Sequence, residues 1–282
     1  MMRNGIFSKL CIHTITTKPW SIEEAITNYA AASIAGISVW RNTLEGRNIK
    51  AIGDQIRSHG LEVTSLARGG FFPSTDPANR LLAIEDNLRA IDEAYALGAP
   101  IIVLVCGADP TQSLATSRLQ IQDGLHQVLP HAQAAGVKLA IEPLHPMYAG
   151  DRSAINTLAQ ATDMSISLQS EWVGVALDVY HVWWDPHLES EIARCGASGK
   201  LLAFHMCDWK VNTTDLLNDR GLMGEGCIPV HQIRTWVNQT GFTGLEEVEI
   251  FSNHYWSMDQ SEYLQKIKIA YQNSFQQNKS DI

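Results

Sequence analysis

Apolar positions along this chain gather into short β-branched or aliphatic runs, separated by longer stretches in which apolar residues recur at helical intervals. The runs Leu10 to Thr14, Gly36 to Trp40, Leu61 to Ser65, Ile101 to Val105, Lys138 to Glu142, Val173 to Leu177, Leu201 to His205 and Leu245 to Ile250 read as strands. A run such as IIVLV is apolar at every residue, as a parallel strand covered on both faces must be. Ser21 and Glu24 have capping-box spacing, which predicts a helix from Ser21 toward Ala35 that Gly36 stops. Between Ala78 and Leu97 the residues Leu81, Leu82, Ile84, Leu88, Ile91 and Ala94 repeat with helical period, and Gly98 and Pro100 end the segment. Ser113 to Ala135 reads as another helix, closed by Gly136 and expected to kink at Pro130.

Eight such alternations predict an α/β fold, a (β/α)8 TIM barrel forming a single domain over residues 1–282, with a polar tail frayed from about 276. An open doubly wound sheet is the alternative. The residues after the first strand, HTITTKPW, lack the glycine fingerprint of its dinucleotide-binding form.

Composition narrows the function. A chain of 282 residues with 45% hydrophobic content can bury a large core. The net charge of -9 opposes attraction to polyanions, so nucleic acid is not the expected partner. Five cysteines, Cys11, Cys106, Cys195, Cys207 and Cys227, are odd in number and lack CxxC spacing, which predicts reduced thiols and a cytoplasmic location. No run approaches the roughly 18 apolar residues of a membrane span, and the N-terminal segment is too polar for a signal core.

The chemistry gathers where four consecutive strands end: Glu142 in LAIEPLHP, Asp178 in VALDVYHVWWDP, His205 in LLAFHMCDWK and Glu249 in EEVEIFS. In a barrel these ends share one mouth. A single acid at a strand end is more often a helix cap or an ion-pair partner than a ligand. Three carboxylates together, however, resist joint ionisation unless a cation neutralises them. The donor set is mostly hard and suits one divalent ion, manganese or magnesium first, with cobalt, iron or zinc as further choices. Glu247 rivals Glu249 because it shares that strand face, whereas Glu246 has the opposite parity.

The ordered motifs IEPLHP, LDVYH, FHMCDW, GEG and EVEIF resemble the xylose-isomerase-like TIM barrel superfamily, which includes ketose 3-epimerases, hydroxypyruvate isomerase, inosose dehydratase and endonuclease IV. The IEPLHPMYAGDRS stretch looks like a branch labelled sugar phosphate isomerase/epimerase. This resemblance covers nearly the whole chain. It implies Glu142, Asp178, His205 and Glu249 as metal ligands, with Glu249 preferred over Glu247 because an Ile-Phe pair follows it. It further implies Glu142 and Glu249 as the acid and base around a metal-stabilised enediolate, and His181 and Arg220 as substrate contacts.

The expected activity is a divalent-metal-dependent isomerase or epimerase of a sugar or keto-sugar. A lyase eliminating from 3-keto-glycosides shares its first step, and a non-catalytic sugar-binding or assembly subunit is the reading of another class. A homodimer or homotetramer is expected from resemblance alone. Tyr148 stands where ketose epimerases carry a further glutamate, which leaves His145, Asp151 and Arg152 as different sugar contacts. Arg68 in ARGGFF is a candidate grip on substrate oxygens, while Arg41 is expected to pair with neighbouring acids. Trp183 and Trp184 are candidate sugar-stacking residues, with Trp209 and Trp256 behind them, and Asp208 is a candidate partner for His205 or substrate. His126 and His131 are expected to face solvent or pack. Endonuclease chemistry needs extra histidines at the second and third strand ends, which read VWRN and SLARGG.

Overall fold

A computed structural model of the chain describes residues 5–275, so the expected fraying from about 276 lies outside the described residues. Eight strands close into a parallel barrel: β1 (Leu10–His13), β2 (Gly36–Trp40), β3 (Glu62–Gly70), β4 (Ile101–Val105), β5 (Lys138–Ile141), β6 (Val173–Asp178), β7 (Leu201–Met206) and β8 (Glu246–Val248). Each pairs with the next, and β8 returns to β1 with Cys11 opposite Glu247. The helices α1 (Ile22–Ala31), α2 (Ile49–Ser58), α3 (Pro77–Leu97), α4 (Leu114–Ala135), α5 (Leu158–Ser167), α6 (Leu188–Ala197), α7 (Val230–Gln239) and α8 (Gln260–Asn273) follow the strands in turn. Among the described residues, no helix is long and apolar enough to cross a membrane.

Local chemistry explains these boundaries. Ser21 and Glu24 form the reciprocal capping box at the start of α1. That helix ends at Ala31 rather than Ala35, and Ser33 at φ 60° turns the chain. Gly36 does not stop a helix; it opens β2, where an added Cβ would stand 2.4 Å from Leu245. Close strand packing is its reason. Helix α4 continues through Pro130.

The strand alternation sets the site. Val103, Ala140, Ala176 and Ala203 cluster apart from the main core, on β4 to β7. Stepping two residues along β5, β6 and β7 from those alanines reaches Glu142, Asp178 and His205, which therefore share the barrel-facing side. Glu142 and Glu249 lie just beyond their strands, yet their amides still donate to Leu104 O at 3.1 Å and Met206 O at 3.2 Å. The neighbouring strand fixes the backbone even where the ladder has ended.

Candidate functional site

The ligand atoms of Glu142, Asp178, His205 and Glu249 lie within 4.8 Å of one another, and all four residues are buried. Asp178 satisfies both readings of a strand-end acid. Its Oδ1 accepts the Tyr180 amide at 2.9 Å, capping the single helical turn Val179–Val182, while Oδ2 accepts Arg220 Nη1 at 2.9 Å. The same Nη1 donates to Glu249 Oε2 at 3.0 Å. His205 Nδ1 is 3.0 Å from Glu142 Oε1, and its Nε2 is buried without a hydrogen-bond partner.

Charge in this layer is tightly linked. Burial, then the charges of Glu249 and Glu142, push Asp178 up to about 7 against the pull of Arg220. Burial lowers the His205 pKa, but the hydrogen bond to Glu142 and the charges of Glu247, Glu142 and Glu249 outweigh it and raise the value to about 10. Glu249 is held well below the carboxylate range, because His13 and Arg220 overcome its desolvation.

His13 is the residue that sequence reasoning missed. It ends β1, has no exposed surface, and stands between the rival glutamates, with Nε2 at 3.0 Å from Glu247 and Nδ1 at 3.1 Å from Glu249. Its signal was available, a polar residue ending LCIH, but a strand drawn through Thr14 hides it in the interior. Glu247 Oε2 also accepts from Thr64 at 3.1 Å and Ser65 at 3.2 Å. His13, His205 and Glu247 form a second triplet with metal-like spacing. Three hydrogen-bonding groups already converge on that one Glu247 oxygen.

The four-residue group borders a cavity of about 180 Å³ lined by Glu142, Glu249, His181 and Arg220, with Trp40, Leu144, Phe251 and Tyr148 around them. Arg68 and Arg152 also face it. The His145 amide donates to His181 Nδ1 at 3.3 Å, and Arg220 Nη2 stands 3.3 Å from His181 Nε2. Burial and the charge of Arg220 lower the His181 pKa well below its usual value, so the ring is neutral.

Other expected contacts fall elsewhere. His145, Trp183 and Trp184 are outside the lining of this cavity; His145 and Trp183 pack on Trp209 at 5.2 Å and 5.7 Å between ring centroids, and Trp184 packs on His145 at 5.8 Å. Trp184 Nε1 donates to His181 O at 2.9 Å, so this indole helps to hold the histidine's backbone. Trp256 bonds Ile15 O. Among the described residues Asp208 makes no hydrogen bond to His205; it accepts the amides of Trp209, Gly224, Gly226 and Ile228, holding the GEG turn. Gly226 is required there, since a Cβ would stand 1.9 Å from Trp209 O. Arg41 pairs with Asp86 and Glu93, and His131 pairs with Asp92. His126 is exposed, and all five cysteines are free.

The residues present fit a divalent ion: three carboxylates and an imidazole converge, and a buried imidazole nitrogen is left without a partner. The comparisons agree with this architecture. The protein SMc04130 from Sinorhizobium meliloti 1021 is 44% identical in structural alignment, with a TM-score of 0.91 over 94% of this chain and 98% of that one. The IOLI protein, solved with a binding zinc atom, is 19% identical, with a TM-score of 0.83 over 94% of this chain and 97% of that one. An inosose isomerase of Halalkalibacterium halodurans is 24% identical over 202 residues, 70% of each chain. The family model described as xylose isomerase-like TIM barrel matches residues 26–268. This chain belongs to the xylose isomerase-like TIM barrel family.

Proposed function

We propose that this protein is a divalent-metal-dependent isomerase or epimerase of a sugar or keto-sugar, acting by proton transfer beside a carbonyl. The observation that carries the reading is the pair Glu142 and Glu249, two buried carboxylates that line one cavity and share the four-residue group with Asp178 and His205. The zinc atom bound in the IOLI protein and the inosose isomerase relative support it.

A divalent ion held by Glu142, Asp178, His205 and Glu249 would polarise the substrate carbonyl and stabilise negative charge developing on its oxygen. The remaining work belongs to the side chains. One of the glutamates removes the proton beside the carbonyl, and its counterpart returns a proton to the resulting enediolate. Neutral His181 and the buried Arg220 guanidinium, whose Nη2 lies 3.3 Å from His181 Nε2, stand together at the cavity as contacts for substrate oxygens. Arg220 is itself fixed by Asp178 and Glu249 and by the faces of Tyr180 at 4.3 Å and Phe251 at 4.9 Å. Trp40, Leu144 and Phe251 supply an apolar wall that limits water around the reacting carbon.

The test is NMR in deuterium oxide with manganese-loaded protein and a panel of free ketoses, keto-sugar phosphates, keto-acid sugars, 3-keto-sugars and 3-keto-glycosides. Deuterium entering beside a carbonyl, with an epimer or isomer as product, is the expected outcome. Loss of a glycosidic substituent would instead give the lyase. No exchange across the panel would sink proton-transfer chemistry on sugars.

A further inference from the structure

We infer that the substrate of this cavity carries an anionic group, a phosphate ester or a carboxylate, received by Arg68 and Arg152. The inference rests on the sugar isomerase or epimerase reading and adds a substrate class to it.

Arg41, Arg220 and Arg234 are buried or half-buried, and each meets carboxylates at hydrogen-bonding distance. Arg68 and Arg152 line the cavity and are treated differently. Among the described residues, the Arg68 guanidinium has no hydrogen bond and no ion pair. It is met only by ring faces, those of Phe71 at 4.6 Å and Trp40 at 5.8 Å. Arg152 lies 5.3 Å over the Tyr148 ring, its Nε is buried without a hydrogen-bond partner, and its ion-pair contact is the exposed Asp151 at 3.8 Å. Burial, followed by the charge of Arg152, lowers the pKa of Arg68, so the two cations stand close enough to repel.

Leaving two like charges partly desolvated beside one cavity is unfavourable unless something compensates them. Among the described residues no carboxylate forms an ion pair with Arg68, and the charges of Glu142 and Glu249 act on it less than burial and the charge of Arg152 do. Sugar hydroxyls offer only neutral acceptors. A phosphate or carboxylate supplies the missing charge and matches the planar fork of a guanidinium. Glu142 and Glu249 border the same cavity, so one substrate can place its reacting carbon at the glutamates and its anion at Arg68 and Arg152.

The experiment is calorimetry of the manganese-loaded protein with D-ribulose, D-ribulose 5-phosphate and D-tagaturonate, repeated with Arg68→Gln, Arg152→Gln and both together. At least one anionic sugar should bind at least about tenfold more tightly than ribulose, as charge-assisted hydrogen bonds allow. Each single variant should cut that ratio at least about threefold, the double variant should bring it near one, and Arg68→Lys should fall between. Which anion is preferred identifies the group. If neither anionic sugar binds more tightly than ribulose, or if the preference survives in the double variant, the inference is overturned. Deuterium exchange on the same sugars separates the two ideas. Exchange into ribulose without anion preference removes the anion site and keeps the chemistry. Anion preference without exchange across the whole panel keeps the arginine site and removes the chemistry.

Discussion

Three glutamates within four residues of one chain segment meet opposite fates. Glu246 points toward the helices, where Arg234 donates from Nε at 2.8 Å and Nη2 at 2.7 Å and Tyr271 adds its hydroxyl. Its charge is closed within the protein. Glu247 and Glu249 point into the barrel, among Glu142 and Asp178, where His13, His205 and Arg220 are the facing cations. The difference teaches that burial alone does not tell these carboxylates apart, for all three are nearly inaccessible. What separates them is the local balance: one carboxylate against one arginine outside, four carboxylates against one arginine and two histidines inside. With all four carboxylates ionised, protonating both imidazoles still leaves this layer with one net negative charge, a deficit that a dication can fill.

The comparison breaks most sharply at the inner pair. Glu142→Gln and Glu249→Gln should each lower deuterium exchange by at least about a hundredfold, because general acid–base groups contribute on that order or more. Stability in denaturant should change far less than activity. At Glu246 the pattern reverses: Arg234→Met strands a buried carboxylate and should cost about 3–5 kcal/mol in urea unfolding, with manganese stoichiometry retained by the folded fraction. An equal loss of metal there would contradict the division between the two faces.

Glu247 sharpens the comparison, since it faces inward but is tied by His13, Thr64 and Ser65. Its Oε2 is also 3.9 Å from His205 Nε2. Glu247→Gln should weaken manganese affinity roughly 10- to 100-fold, as removal of a residue orienting a ligand does, without abolishing binding. Abolition would make it a ligand. The smallest effect is expected outside the barrel at Arg41, which pairs with partly exposed Asp86 and Glu93. Arg41→Ala should shift stability by about 1 kcal/mol or less, and less still in high salt.

The fold was legible because parallel strands and amphipathic helices leave different periodicities, and the eight expected strands overlap the eight observed. Their ends were harder to read. Glu142 was assigned to a strand that closes at Ile141, and β3 runs to Gly70 rather than Ser65, because tertiary pairing and not local preference decides where a ladder stops. The convergence of Glu142, Asp178, His205 and Glu249 was readable from parity along their strands. What those residues touch from across the barrel was not. His13 is more than 230 residues from Glu249 in sequence but 3.1 Å away in space. Trp183 and Trp184 show the same limit: their position just after His181 suggests sugar stacking, while the Trp183 contact with Trp209 and the Trp184 hydrogen bond to the His181 carbonyl could not be read from sequence.

The most direct test is the metal content of manganese-loaded, exhaustively dialysed protein by elemental analysis, beside Asp178→Asn and His205→Ala variants that retain the wild-type circular dichroism spectrum. About one ion per chain in the wild type and near-background content in both variants is the result this account predicts. Full occupancy in both variants, or a wild type that takes up no divalent ion, would contradict it.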